Sequence, residues 1–127
     1  MKAVYATGTN YDDPLSVLEV GTMPEPETKP FWSTIRVNSA SVNHHDVWSL
    51  QGVGLSDEQT PMILGTDAAG VLEEDIPVRK GLKAGSEVVL YTFVGTDGAG
   101  VMPGERRSIL SERYAGTMAE YTQVPSA

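Results

Sequence analysis

The 127-residue chain contains no cysteine. Disulfides and thiolate metal sites are therefore excluded as ways of holding it together. Positive charge is also scarce: nine Lys and Arg stand against 17 Asp and Glu, a formal net charge of −8. Nucleic acid and anionic membrane surfaces both need a positive face, so neither is an expected partner. No apolar run approaches the roughly 18 residues of a membrane helix. The opening MKAVYATGTNYDD lacks the apolar stretch of a secretory signal. A cytoplasmic location is the expectation. Heptads, internal repeats and long helical periodicity are absent too.

What is present points to turns and short strands. Thirteen Gly and eight Pro punctuate the chain. With 40% apolar residues it can form one ordinary core, so residues 1–127 are expected to be one domain. MKAVYA reads as a first strand, closed by the turn cluster TGTNYDDP. LSVLEV reads as a second strand buried on both sides, and GTMPEPETKP, with three prolines, as an extended connection. WSTIRVNSASV alternates as a strand, with Ile35 and Val37 on one face. MILGTDAAGVLEE is expected to be one bent strand with Gly65 and Gly70 at a bulge or close approach. A further strand is expected near 86–94, a long irregular excursion over 95–116, and a last strand in TMAEYTQVP. The sum is a mainly β domain with one or two short helices.

The one clear helix lies in VNHHDVWSLQG. Asn43 suits an N-cap, Asp46 can complete a capping box, and Gly52 is a natural stop, which predicts a helix over 44–51. Its polar residues carry the candidate chemistry. Adjacent helical residues point about 100° apart, so His44 and His45 are poorly placed to share one metal ion. One of them could still combine with Asp46 or Asp67 if the fold brings them together. Histidine is also the side chain best suited to exchange protons near neutral pH, with Asp46 or Asp67 to orient it. Trp48 either packs in the core, the preferred reading, or lines a pocket. GTDAAG and GTDGAG are Gly-rich but lack the dinucleotide and P-loop patterns, and no G-x-S-x-G occurs. The chain therefore carries no nucleotide cradle of its own.

Taken together, MKAVYATG, LEVGTMPEPETKPFWSTIRVNSASVNHHDVW, PMILGTDAAGVLEE, GLKAGSEVVLY and GTMAEYTQVPSA resemble, in order and spacing, the N-terminal GroES-like domain of the medium-chain dehydrogenase/reductase superfamily. That superfamily includes zinc alcohol dehydrogenases and zinc-independent quinone reductases. The resemblance implies a partly open β-barrel forming one wall of an active-site cleft. A Rossmann domain that would follow it binds NAD(P); none is recognisable in this sequence, so the chain is expected to be inactive alone and to expose an apolar face through which it self-associates. The positions matching Asn43 and Thr66 carry zinc ligands, cysteine and histidine, in the zinc-dependent branch, and an acid matches Asp67. The resemblance thus implies an oxidoreductase without zinc acting on alcohols and carbonyls or on quinones and enones. Asn43 would stand on the nicotinamide side of the cleft, at a helix N-terminus suited to a developing oxyanion, with His44, His45 and Asp46 as catalytic candidates. Trp48, Thr66 and Asp67 would line the substrate pocket. A zinc enzyme with the unusual ligands His45, Asp46 and Asp67, and a non-enzymatic binding module, are the alternatives.

Overall fold

The computed structural model describes residues 1–77, 79–95 and 107–126. Strand β1 (Lys2–Ala6) runs antiparallel between β2 (Leu18–Thr22) and β4 (Met62–Ile63). A second sheet has the order β6 (Glu87–Val89), β5 (Ala69–Leu72), β3 (Trp32–Ser39), β9 (Tyr121–Pro125), all antiparallel. A short ribbon pairs β7 (Phe93–Val94) with β8 (Ser108–Ile109). The first two sheets meet where Ala3 bridges Ala119, just ahead of β9. No ladder closes the barrel among the described residues, which leaves the mainly β, partly open architecture expected from the sequence.

The alternating pattern of β3 is realised: Ser33 and Ile35 are buried, whereas Arg36 is exposed and pairs with Glu73. Ile35 joins Ala68, Leu72, Ile76 and Leu90 in one apolar cluster inside the larger sheet. A second cluster, of Ala6, Leu50, Leu55, Met62 and Leu64, seats helix α1 (His44–Leu50) against the smaller sheet. Each fully buried aliphatic side chain contributes on the order of 2 kcal/mol.

Four expectations are corrected. LSVLEV is not one two-sided strand: Pro14–Val17 forms a 3₁₀ turn, and Leu15 and Val20 are 70% and 76% exposed. Proline starts such a turn easily, because its fixed φ suits the first helical position. MILGTDAAGVLEE is two strands in different sheets, joined by the crossing segment 64–68. The strand expected over 86–94 is likewise split into β6 and β7. Of the excursion 95–116, residues 96–106 lie outside the described residues, but 107–116 is ordered structure. It contains β8, the fully buried Leu110 and Ser111, and a bridge from Leu110 to Tyr114.

The crossing segment is tightly held. Gly65 has a φ of +96°, and a Cβ on Gly116 would lie 2.3–2.5 Å from the carbonyl oxygens of Ile63, Leu64 and Gly65. Glycine is needed at both places, first for a left-handed conformation and then for close approach. Backbone N–H groups of Gly116, Thr117 and Met118 donate to the carbonyls of Ile63, Gly65 and Leu64 respectively.

Candidate active site

Helix α1 begins where the sequence predicts. Asn43 is its N-cap, and its backbone N–H donates to Asp46 Oδ2 at 2.8 Å, one half of a capping box. The Asp46 N–H goes to the Asn43 carbonyl at 3.0 Å, and the Asn43 side chain makes no cap hydrogen bond of its own. That amide is used elsewhere. Its Nδ2 donates to Ser41 Oγ at 3.3 Å and to Thr66 Oγ1 at 3.4 Å, both at the long, weak end of the range.

Asn43, Thr66 and Asp67 therefore converge, although Asn43 and Thr66 are 23 residues apart in sequence. Asp67 is fixed by Ser41, whose N–H donates to Oδ1 at 3.1 Å and whose hydroxyl donates to Oδ2 at 2.6 Å. Hydrogen bonds that favour the charged form depress a carboxyl pKa. The Ser41 hydroxyl is the main reason that Asp67 sits below the usual aspartate range, and partial burial opposes it.

The segment carrying Thr66 and Asp67 is clamped from several elements. Gly65 N–H donates to Asp46 Oδ1 at 2.9 Å in the buried interior. The Thr92 hydroxyl donates to the Thr66 carbonyl. The Thr117 hydroxyl donates to the Asp67 carbonyl at 2.7 Å. Asp46 is itself only 4% exposed and spends both oxygens on backbone N–H groups. It acts as a brace between the helix start and the crossing segment rather than as a group facing the cluster.

The remaining helical candidates go elsewhere. His45 Nε2 lies 2.9 Å from Glu112 Oε1, and its Nδ1 lies 3.4 Å from both Ser49 Oγ and Ser111 Oγ. The pair ties α1 to the segment after β8. His44 is exposed and its ring stacks obliquely near Trp48, with centroids 6.0 Å apart. Trp48 is 50% exposed, which corrects the expectation that it packs in the core. The alternative zinc set does not assemble: Asp46 bonds backbone, His45 bonds Glu112 and Asp67 bonds Ser41. Among the described residues no group of three or more His, Cys, Asp or Glu side chains could hold a metal ion.

Sequence reasoning missed Ser41, Thr92, Glu112 and Thr117. Ser41 stands two residues before the cap, where its hydroxyl is a frequent loop partner, and that position was its only local signal. A cleft of about 650 Å³ lies over Ile35, Leu72, Val88 and Leu90, and none of Ser41, Asn43, Thr66 or Asp67 lines it. No helix among the described residues is long and apolar enough to cross a membrane.

Comparison with known proteins identifies the scaffold that carries these residues. Residues 29–127 match the family described as alcohol dehydrogenase GroES-like domain. Dehydrogenase orsE of Emericella nidulans is 31% identical over 109 residues, which is 79% of this chain and 31% of that protein. The crystal structure of an NAD-dependent alcohol dehydrogenase superposes with a TM-score of 0.78 at 34% identity, covering 98% of this chain and 37% of the other. A cobalt- and zinc-bound thermostable alcohol dehydrogenase from Pyrobaculum aerophilum gives a TM-score of 0.79 at 27% identity, covering 99% and 39%. The chain thus spans about a third of the length of the relatives it matches. On this match and the shared fold, the chain belongs to the alcohol dehydrogenase GroES-like domain family, in the medium-chain dehydrogenase/reductase superfamily.

Proposed function

We propose that this chain forms the substrate-side wall of an NAD(P)-dependent oxidoreductase that works without zinc. The observation that carries this reading is the donor set at the cluster: an amide, two hydroxyls and one carboxylate already bonded twice by Ser41. Zinc prefers thiolate, imidazole and free carboxylate, so these residues do not fit it. They suit a polar substrate oxygen instead. Candidate substrates are alcohols and carbonyls, or quinones and enones.

The dinucleotide, when bound, supplies the hydride. This chain offers it no phosphate cradle, since GTDAAG and GTDGAG match no dinucleotide fingerprint. A Rossmann domain in cis is the proposed source of that cradle. The task of this chain is to orient the substrate and to exclude water at the cluster.

The test uses the protein expressed from its complete gene. Consumption of NADH and NADPH is followed with panels of aldehydes, ketones, quinones and enones, with and without a chelator, and bound metal is measured. Turnover that survives chelation, with zinc far below one per subunit, is expected. Activity lost to the chelator and restored by zinc overturns the zinc-independent reading. Absence of turnover with every substrate leaves the non-enzymatic binding module.

A further inference from the structure

The cluster holds four polar residues, and their hydrogen-bond donors can be counted. Ser41 has two, its N–H and its O–H, and both go to Asp67. Asn43 has three: the backbone N–H goes to Asp46, and the two hydrogens on Nδ2 are shared among Ser41 Oγ, Thr66 Oγ1 and the Asp67 carboxylate. Asp67, held below the usual aspartate range, is ionised at neutral pH and can only accept. Thr66 Oγ1 accepts from Asn43, which leaves its own O–H to give away. Among the described residues no hydrogen bond uses that O–H as donor, and no buried side-chain oxygen or nitrogen lacks a partner.

Direction follows from this count. The ionised Asp67 pulls the Ser41 hydroxyl hydrogen toward itself, so Ser41 Oγ offers a lone pair to Asn43. The Asn43 amide is drawn with its N–H groups toward the protein. Thr66 then receives a hydrogen bond and is left to donate one. The Thr92, Asp46 and Thr117 contacts hold the Thr66 backbone while it does so.

We infer that Thr66, rather than Asn43, donates the hydrogen bond to the substrate oxygen, and that Ser41 is the positioning residue that sets this polarity. The assignment rests on the oxidoreductase reading above and deepens it. As a hydride reaches a carbonyl carbon, its oxygen gains negative charge, and a preplaced donor is worth more there than in the ground state. Thr66 is 94% buried, so this donor does not have to shed water first. The ligand class is a carbonyl oxygen, or the alkoxide it becomes.

The experiment uses the complete protein with its best carbonyl substrate. Thr66→Val removes the hydroxyl at nearly constant shape. Its kcat is expected to fall about 100-fold with KM little changed, the scale of losing one oxyanion donor. Thr66→Ser is expected to recover most of that loss. Ser41→Ala is expected to lower kcat about 10-fold and to move the acid limb of the pH profile upward, because Asp67 loses its main stabilising partner. Difference infrared spectra of a bound, unreactive ketone give a readout independent of turnover. The C=O stretch is expected to shift down in the wild type and to revert in Thr66→Val.

Thr66→Val with wild-type kcat, or a ketone stretch that does not revert, overturns the assignment. So does a Ser41→Ala pH profile that stays in place, which decides the matter even if Thr66→Val fails to fold. A wild-type protein that turns over carbonyls while Thr66→Val is unimpaired fails this assignment alone. A wild-type protein with no turnover fails the oxidoreductase reading, and this assignment with it.

Discussion

Asn43 and His45 are two residues apart at the start of the same helix, yet their surroundings differ in kind. Asn43 reaches Ser41 and Thr66 through bonds of 3.3 and 3.4 Å. His45 is held by Glu112 at 2.9 Å, with two serine hydroxyls on its other nitrogen. The neutral amide has slack, and the titratable ring is occupied. On residue type alone the histidine looks like the reactive group. The comparison teaches that function follows from what the fold brings opposite a side chain. Here it brought an acid to the histidine and hydroxyls to the amide.

The brace that both flanks share is Asp46, and removing it is the severest way to break the comparison. Asp46→Ala leaves the Asn43 and Gly65 N–H groups without their charged acceptor. A loss of about 4 kcal/mol is expected, from roughly 1.5–3 kcal/mol for each charge-assisted bond. Denaturant midpoints of this chain measure it, and a loss below about 1 kcal/mol would show that the brace is not what joins helix and crossing segment.

Gly116→Ala attacks the floor under the cluster and leaves the His45 side chain's partners in place. The added methyl would overlap three carbonyl oxygens, so about 3 kcal/mol of destabilisation is expected. His45→Ala tests the other flank alone. It is expected to cost about 1–2 kcal/mol, since the pair is only partly exposed, at 17% and 28%. In the complete protein the same variant is expected to leave the pH profile of kcat unchanged, and a displaced profile would bring His45 back as a proton carrier. Trp48→Ala is expected to cost less than about 1 kcal/mol, against the 3–5 kcal/mol typical of a core tryptophan. A core-sized loss would contradict the half-exposed position.

The smallest expected effect is on acid stability. Asp67 has a folded-state pKa lowered from its unfolded value of about 3.9. Its contribution is therefore fully present above that value and is lost as the pH falls through the folded pKa. Stability should drop below about pH 4, and Ser41→Ala should reduce that drop. Denaturant midpoints at about pH 6 and pH 3 separate the two proteins. An equal drop in both would mean that Ser41 does not hold the Asp67 charge.

Much of the local structure was legible. MKAVYA forms a strand as read, Ile35 sits in a strand as its alternation predicts, and α1 is capped by Asn43 and stops before Gly52. The cap could be read because its contacts span three residues. The switch of sheets within MILGTDAAGVLEE could not, because a strand that ends and one that bends look alike in a Gly-punctuated apolar run. Trp48 was misplaced for a related reason. A hydrophobic residue at helical spacing predicts a packed face only where a partner element covers it, and here Trp48 stays half exposed.

The sequence alone decided the negative chemistry and the short-range frame. Without cysteine there is no thiolate for a metal, and Asn43 with Asp46 sets where the helix begins. Only the tertiary structure decided the partners: Ser41 on Asp67 across 26 positions, Asn43 on Thr66 across 23, and Glu112 on His45 across 67. The physical reason is one of range. Capping and alternation are set by neighbours along the chain, whereas the first two pairings exist only once segment 64–68 has crossed from one sheet to the other, and the third only once the segment after β8 has come back to α1.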